Sequence, residues 1–455
     1  MHQTIAQADR VSVAAKIGYG VGAVGGQIFR DTPALILPIY MITVLGVPAW
    51  MAGIAILIPK AWIIFWDPLV GGWSDRKRST WGRAPFLLAG ALLAGLAFVL
   101  MFSAPDFASP WASAGYITFA FALASTAYSL FSVPYLSAAA EMSGDPRERT
   151  RILAVRICFL SVGVAVGGYA LPAAHAFGPG WTGFNRMGMV YGLACAVTML
   201  VTYATVRRLK LVAAAAHESG PGTGRGDIRA IWANKPFVML AATYFIALTA
   251  QALTYTVFGL YFVYIIKDAG ALAIVGVSAA LSVVAGQPLT VWLNRRMSKR
   301  ALFTLGIVGW GLCCLSFITA GAAETAWIPS HFGIAIPQAI LLGGRAFVWG
   351  MFNSMYLLMA LSMLTDTINV DRLRTGVARS GVYSGIFGAL EKVGFALGPA
   401  IAGVILSAGG FAGAKGGGMV AETPAALTTL LLCFCVFPPL LAGASLIPFS
   451  RYVDK

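Results

Sequence analysis

The stretch KAWIIFWDPLVGGWSDRKRSTWGRAPF, Lys60 to Phe86, runs an apolar segment carrying Lys60 and Asp67 straight into a dense basic turn. Seven positions apart on a helix, Lys60 and Asp67 share one face, two turns from each other. A charge at membrane depth is costly unless it faces protein or water, so the pair points to work as well as packing. Lys60 is expected either to neutralise Asp67 or to snorkel toward an interface. The turn from Gly71 to Arg83 combines glycines for close backbone approach with Asp75, Arg76, Lys77, Arg78 and Arg83.

Around this stretch the chain has 455 residues, 58% of them hydrophobic and 11% charged, with 52 glycines. That is too little charge to cover a soluble surface, and it indicates a polytopic membrane protein. A net charge of +15 would otherwise suggest nucleic-acid binding, but the cations sit in alternate loops and no nucleic-acid partner is expected. Cys158, Cys195, Cys313, Cys314, Cys433 and Cys435 all fall in apolar runs without metal spacing and are expected to be free thiols. No metal site or cofactor is expected. No cleavable apolar segment stands directly behind the polar N-terminus, so the first helix is expected to do the targeting.

A bilayer-crossing helix needs about 20 apolar residues. Twelve such runs are predicted, near 17–45, 50–73, 84–104, 113–140, 152–173, 185–207, 236–266, 270–293, 300–322, 332–362, 380–408 and 422–450. With both termini in the cytoplasm, most of the 32 lysines and arginines fall in cytoplasmic segments, while the opposite loops keep only Arg186, Lys267 and Lys415. The positive-inside rule therefore fixes this orientation in a cell membrane. Arg30, Lys60, Arg156, Arg345 and Lys392 fall within predicted helices.

Between the sixth and seventh runs, AAAAHESGPGTGRGDIRAIW reads as a flexible linker. The expected organisation is an all-α fold of two pseudo-symmetric six-helix bundles, residues 1–208 and 236–455, joined by a cytoplasmic linker over 209–235. A faint repeat supports it: Pro68-Leu69 before a basic turn is echoed by Pro288-Leu289 before Asn294-Arg295-Arg296, and Asp145-Pro146-Arg147-Glu148-Arg149-Thr150 by Asp371-Arg372-Leu373-Arg374-Thr375. Two related halves around a central site form a common carrier plan. An enzyme is not expected, because no HExxH or GxSxG occurs and His2, His175, His217 and His331 lie in predicted tails or loops.

Asp67-Pro68-Leu69-Val70-Gly71 with Asp75-Arg76-Lys77-Arg78-Ser79-Thr80-Trp81-Gly82-Arg83 resembles the helix 2 to 3 signature of the glycoside-pentoside-hexuronide:cation symporters, the melibiose permease family of the major facilitator superfamily. Gly18-Tyr19-Gly20-Val21-Gly22, the Arg147-Glu148-Arg149 loop and the segment from Arg374 to Tyr383 resemble it too, and the likeness runs from about residue 17 to 450. The resemblance implies a small organic solute, most simply a sugar or glycoside, moved with a coupling cation by alternating access. It implies a coupling role for Asp67, with Ser129 or a carbonyl assisting, and roles for Lys392 in helix 11 and Arg156 in helix 5. Where relatives place sugar-gripping acids in helices 1 and 4, this chain has Gln27 and Ser132. Where sodium-driven members place a second helix 2 acid, it has Ile63. A single carboxylate makes a poor sodium cage, so a proton is favoured over sodium. The altered sugar grip keeps a lysolipid or other amphiphile as an alternative substrate, and a non-transporting sensor on the same fold as another.

Further candidate substrate residues come from shared faces. Gln27, Arg30 and Asp31 stand at i, i+3 and i+4 in helix 1, and Tyr128 accompanies Ser132 in helix 4. Gln251 and Tyr255 are one turn apart in helix 7, and Arg345 shares a stripe with Trp349, Phe352, Asn353 and Tyr356 in helix 10. Gly18, Gly22 and Gly26, at spacing four, read as a close-packing seam. Asp75, Arg76, Arg83, Arg149 and Arg379 read as gating residues, Asp75 meeting Arg379 and the positive end of the eleventh helix dipole. Ionised Asp67 is expected to attract Lys392 and to release it when a cation neutralises the carboxylate. A monomer is expected.

Overall fold

A computed structural model of the chain describes residues 11–77, 80, 82–143, 146–209, 231–268, 271–321, 324, 327, 331, 333, 336–375, 380–411 and 422–452. Every regular element among them is helical. In order these are α1 (Val13–Ile39), α2 (Ala49–Arg76), α3 (Ala84–Met101), α4 (Pro110–Glu141), α5 (Pro146–Gly168), α6 (Ala170–Phe177) and α7 (Gly180–Arg208). The second set is α8 (Lys235–Tyr261), α9 (Ala271–Leu293), α10 (Lys299–Ser316), α11 (Gln338–Thr375), α12 (Ser380–Ala408), α13 (Pro424–Cys435) and α14 (Phe437–Ser450). The N-caps show why several of them begin where they do. Ser12, Ser298 and Thr423 accept hydrogen bonds from the backbone N–H groups of Ala15, Ala301 and Ala426. Each satisfies a donor that has no partner inside its helix.

Among the described residues eleven helices are long and apolar enough to cross a membrane, with α13 and α14 together making one of them. The remaining predicted span is α1. Its 27 residues reach about 40 Å, but Lys16, Gln27, Arg30 and Asp31 and its run of glycines dilute its apolar content. Three predicted boundaries are corrected. The last span breaks at Val436, because Pro438 and Pro439 have no backbone N–H to continue the ladder. The fifth ends at Gly168, and the short α6 follows Tyr169. The tenth continues past residue 362 to Thr375. Its polar final turns are held by Lys299, 2.6 Å from Asp366, and by Asn234 Nδ2, which donates to the Thr367 carbonyl at 3.1 Å.

The chain divides into two units near residues 217 and 218. In the first, α1 packs on α5 and α7, α4 on α2 and α3, and α3 on α7. In the second, α8 packs on α12 and on α13 and α14, α11 on α9 and α10, and α10 on α14. Counted as spans, this is one neighbour scheme used twice. Details repeat as well. A five-residue π-helical turn extends α1 (Tyr40–Val44) and α8 (Phe262–Ile266). Tyr40 donates to the Phe102 carbonyl at 3.4 Å, and Tyr261 donates to the Phe317 carbonyl at 2.6 Å.

Small residues let these helices touch. A Cβ added to Gly18, Gly22 or Gly25 would lie 2.1, 2.4 or 2.4 Å from the hydroxyl of Thr205, Thr202 or Thr198, so α1 lies against α7 along a glycine–threonine seam. The third member is Gly25 and not Gly26, which faces the Tyr128 hydroxyl at 3.1 Å, because 3.6 residues per turn alternates steps of four and three. Gly90 faces backbone instead of a side chain: its Cβ would meet the Phe131 backbone nitrogen at 2.4 Å, and a Cβ on Gly306 would lie 2.8 Å from Tyr356 N at the equivalent crossing. Alanine would gain about 1 kcal/mol of helix propensity there, but overpacking against backbone costs about 1–3 kcal/mol. Gly90→Ala and Gly306→Ala are therefore expected to lower the melting temperature of detergent-purified protein, whereas Gly115→Ala, with open space around it, is expected to leave it unchanged or higher.

Candidate functional site

In the first unit the polar face of α1 is internally wired. Gln27 Nε2 donates to Asp31 Oδ2 at 2.6 Å, and Arg30 Nε donates to Asp31 Oδ1 at 3.2 Å. Gln27 is buried, while the Arg30 side chain is 64% exposed. Two glycines of α5 make room for this face: a Cβ on Gly163 would lie 2.6 Å from that of Gln27, and one on Gly167 3.3 Å from that of Asp31. The spacing of Gly163 and Gly167 is the sequence signal that pairs α5 with this face.

Asp67, half-buried on α2, accepts a hydrogen bond from Ser129 Oγ of α4. The same hydroxyl lies 3.1 Å from the Ser125 carbonyl, one turn earlier, and the buried Ser125 Oγ has no hydrogen-bond partner. Beside it, Trp62 donates to Thr126 Oγ1 at 2.9 Å and Trp66 to the Thr126 carbonyl at 3.2 Å, their rings stacked 5.8 Å apart. Pro59 and Pro68 lie within the helix on either side of these residues. The structure thus brings Asp67 and Ser129 together and fills the adjacent helix face with indoles.

Tyr128, next to Ser129, stacks on Phe29 with centroids 4.5 Å apart. Arg30, Arg156 and Asp67 all lie close enough to act on its phenol electrostatically. Arg156 sits over the Tyr135 ring at 5.5 Å, with its Nε buried and without a hydrogen-bond partner. Ser132 is half-buried on α4.

The basic turn closes over a buried ion pair. Arg83 donates through Nε and Nη2 to Glu141 Oε1, at 3.0 and 2.7 Å, and through Nη1 to Ser74 at 3.2 Å. Arg76, exposed, donates to the Gly72 carbonyl at the end of its own helix. The side chains of Asp75 and Arg149, and Arg379 altogether, lie outside the described residues. Neither Glu141 nor Glu148 is among the candidate site residues read from the sequence, where Glu148 figures only inside the Arg147-Glu148-Arg149 motif and each acid looks like an ordinary helix-end group. Glu148, in the first turn of α5 and ahead of its membrane span at Arg151, is buried and holds Lys16 from α1 and Arg151 from its own helix.

The hydrogen bond from Lys16, more than any other influence, holds the Glu148 carboxyl below its ordinary value. A lowered carboxylate favours the folded state above the unfolded pKa of about 4.5 and loses that contribution as pH falls through the folded one. The stability difference between wild type and Glu148→Gln is therefore expected to be constant near neutrality and to shrink as pH drops below about 4.5, read as melting temperature against pH.

In the second unit, Gln251 of α8 is buried. Its Nε2 donates to Asn353 Oδ1 at 2.7 Å and to the Tyr255 hydroxyl at 3.0 Å, and its Oε1 accepts from Tyr356 at 3.1 Å. Trp349, also buried, turns its N–H onto Cys314 Sγ at 3.2 Å and packs 5.8 Å from the Tyr255 ring. Arg345 forms a forked pair with Glu324, at 2.6 and 2.7 Å, and reaches Thr319 at 3.1 Å. Its charge is therefore matched inside its own unit. Lys392 is half-buried on α12 next to Glu391.

Residues 18–453 match the family described as MFS/sugar transport protein. The chain belongs to that family. It is a multi-pass membrane transporter and not an enzyme. The carrier is 26% identical over 443 residues to the putative glycoside/cation symporter YagG of Escherichia coli, covering 96% of this chain and 91% of that one. It is 25% identical over 430 residues to the isoprimeverose transporter of Lactiplantibacillus pentosus, covering 90% and 83%. Among solved structures, the nucleoside transporter NupG matches with a TM-score of 0.68 at 14% identity, covering 96% of the carrier and 99% of that chain. At that identity the likeness speaks to the fold alone.

Proposed function

We propose that the carrier moves a sugar or glycoside together with a proton across the cell membrane, by alternating access, with both termini cytoplasmic. The observation that carries the coupling half is the Asp67–Ser129 hydrogen bond at membrane depth. A sodium ion wants several hard oxygens. Around this carboxylate, Ile63 stands one turn back, and Trp66 occupies the Thr126 carbonyl with an N–H. A proton needs only the one carboxylate, and neutralising it changes which packed arrangement is preferred.

The sugar half rests on the names of similar proteins, a glycoside/cation symporter, an isoprimeverose transporter and a glucuronide carrier homolog. It rests also on the mixed donor and acceptor face of Gln27, Arg30 and Asp31, with Tyr128, Ser132 and Arg156 of the same unit as further contacts. Aromatic rings beside polar groups suit a sugar, which has apolar faces and hydroxyl edges. In this reading the Arg345–Glu324 pair braces α11 and does not meet substrate.

The test is purified protein in liposomes, offered labelled glycosides and lysolipids under imposed proton or sodium gradients. Proton-driven uptake of a glycoside, indifferent to sodium, is expected. Sodium-driven uptake would overturn the coupling assignment, and uptake of lysolipids alone would overturn the sugar assignment.

A further inference from the structure

Gln251 is 2% exposed and Tyr356 1%, whereas their partners Asn353 and Tyr255 are half-buried. The buried amide is fully used. Its carbonyl oxygen takes the Tyr356 hydroxyl proton, and its amino group serves both Asn353 Oδ1 and the Tyr255 oxygen. A primary amide has two faces, and here Oε1 meets the Tyr356 hydroxyl while Nε2 meets Asn353 Oδ1. With Oδ1 turned toward Gln251, the Asn353 amino group must point the other way. No further polar contact of Asn353 occurs among the described residues. Tyr255 stands beside it, flanked by the rings of Trp349 and Phe395 at 5.8 and 6.3 Å.

We infer that Asn353 Nδ2 is a specificity-determining hydrogen-bond donor to a hydroxyl or ether oxygen of the substrate, and that Gln251 and Tyr356 are positioning residues that aim it. This rests on the sugar-carrier reading above. It moves Gln251 from the substrate-contacting set to the layer behind it. The design resembles a buried polar network that earns its place by fixing orientation: every group of the hub is satisfied, and the outward donor is left for a ligand acceptor. A site built around a hydrogen bond discriminates strongly against ligands that lack the matching oxygen.

Asn353→Asp isolates the donor. The carboxylate keeps an oxygen for Gln251 but replaces the amino group with an acceptor that repels a ligand oxygen. With p-nitrophenyl glycosides of glucose, galactose, xylose and glucuronic acid as probes, Asn353→Asp is expected to raise KM for the transported glycoside by about ten-fold or more. Tyr356→Phe, which frees the hub without touching substrate, is expected to raise KM several-fold with Vmax nearly kept, a split that mere loss of folded protein would not give.

Thiol accessibility provides a second readout. In purified protein, Asn353→Cys should react with the charged reagent MTSET at least about ten-fold faster than Gln251→Cys, since a buried thiol is shielded from it. An unchanged KM in Asn353→Asp while wild type transports a glycoside would overturn the inference alone. Equal, slow labelling at both positions would overturn it too. If wild type transports none of the glycosides, the sugar reading fails and the assignment of Asn353 fails with it.

Discussion

Asp67→Asn is expected to abolish gradient-driven accumulation while sparing exchange of substrate across the membrane. Asparagine keeps an oxygen to accept from Ser129, so local packing survives, but the side chain has no proton to exchange at any physiological pH. For one proton per substrate, each unit of imposed pH gradient sustains about ten-fold accumulation. The variant should therefore fall from that ratio to about one, with counterflow of preloaded substrate still measurable. Persistence of proton-driven accumulation in proteoliposomes of the variant would end the coupling assignment. Ser129→Ala is a milder companion. The substitution removes the donor but keeps the carboxylate, so proton-driven accumulation should be weakened and not lost, read as a lower accumulation ratio in the same proteoliposomes.

The largest effect on stability is expected at Arg83. Arg83 and Glu141 are 5% and 3% exposed, so neither side can turn to water when the other is removed. Breaking a buried pair from one side costs about 3–5 kcal/mol, because it strands a charge. Arg83→Gln should lower both the yield of monodisperse protein and its melting temperature in detergent. The double variant Arg83→Met with Glu141→Leu removes both charges and should recover most of the loss. A double variant as unstable as the single one would show that the cost lies in shape and not in an uncompensated charge.

The Asp67–Ser129 contact was largely legible because the rules that govern it are one-dimensional. An acid inside a run of Trp, Ile and Phe stands out wherever the run folds, and of the two partners expected for it, Ser129 or a carbonyl, the structure shows the Ser129 hydroxyl. The glycine seam was legible in kind, and wrong by one residue at its third member, because a spacing of four drifts off a helix face within two turns. Arg345 shows the limit. Its stripe with Trp349 and Asn353 suggested one surface, yet the guanidinium folds back on Glu324, a residue 21 positions away. For Gln251 the sequence placed it beside Tyr255, but its burial depends on how closely α8 and α11 approach, which no residue on either helix reports alone.

What the sequence by itself determined is the medium and the plan: apolar runs of bilayer length, cations in alternate loops, and a repeated pattern of proline and basic turns. These follow from the cost of exposing backbone or charge to hydrocarbon, which acts on each segment separately. The tertiary structure decided which charges are satisfied within their own unit, Arg83 by Glu141, Lys16 by Glu148 and Arg345 by Glu324. It also decided which polar groups stand behind others. A hydrogen bond forms over about 3 Å, so its partner is chosen by helix contacts between residues far apart in the chain, and spacing along one helix carries no record of that choice.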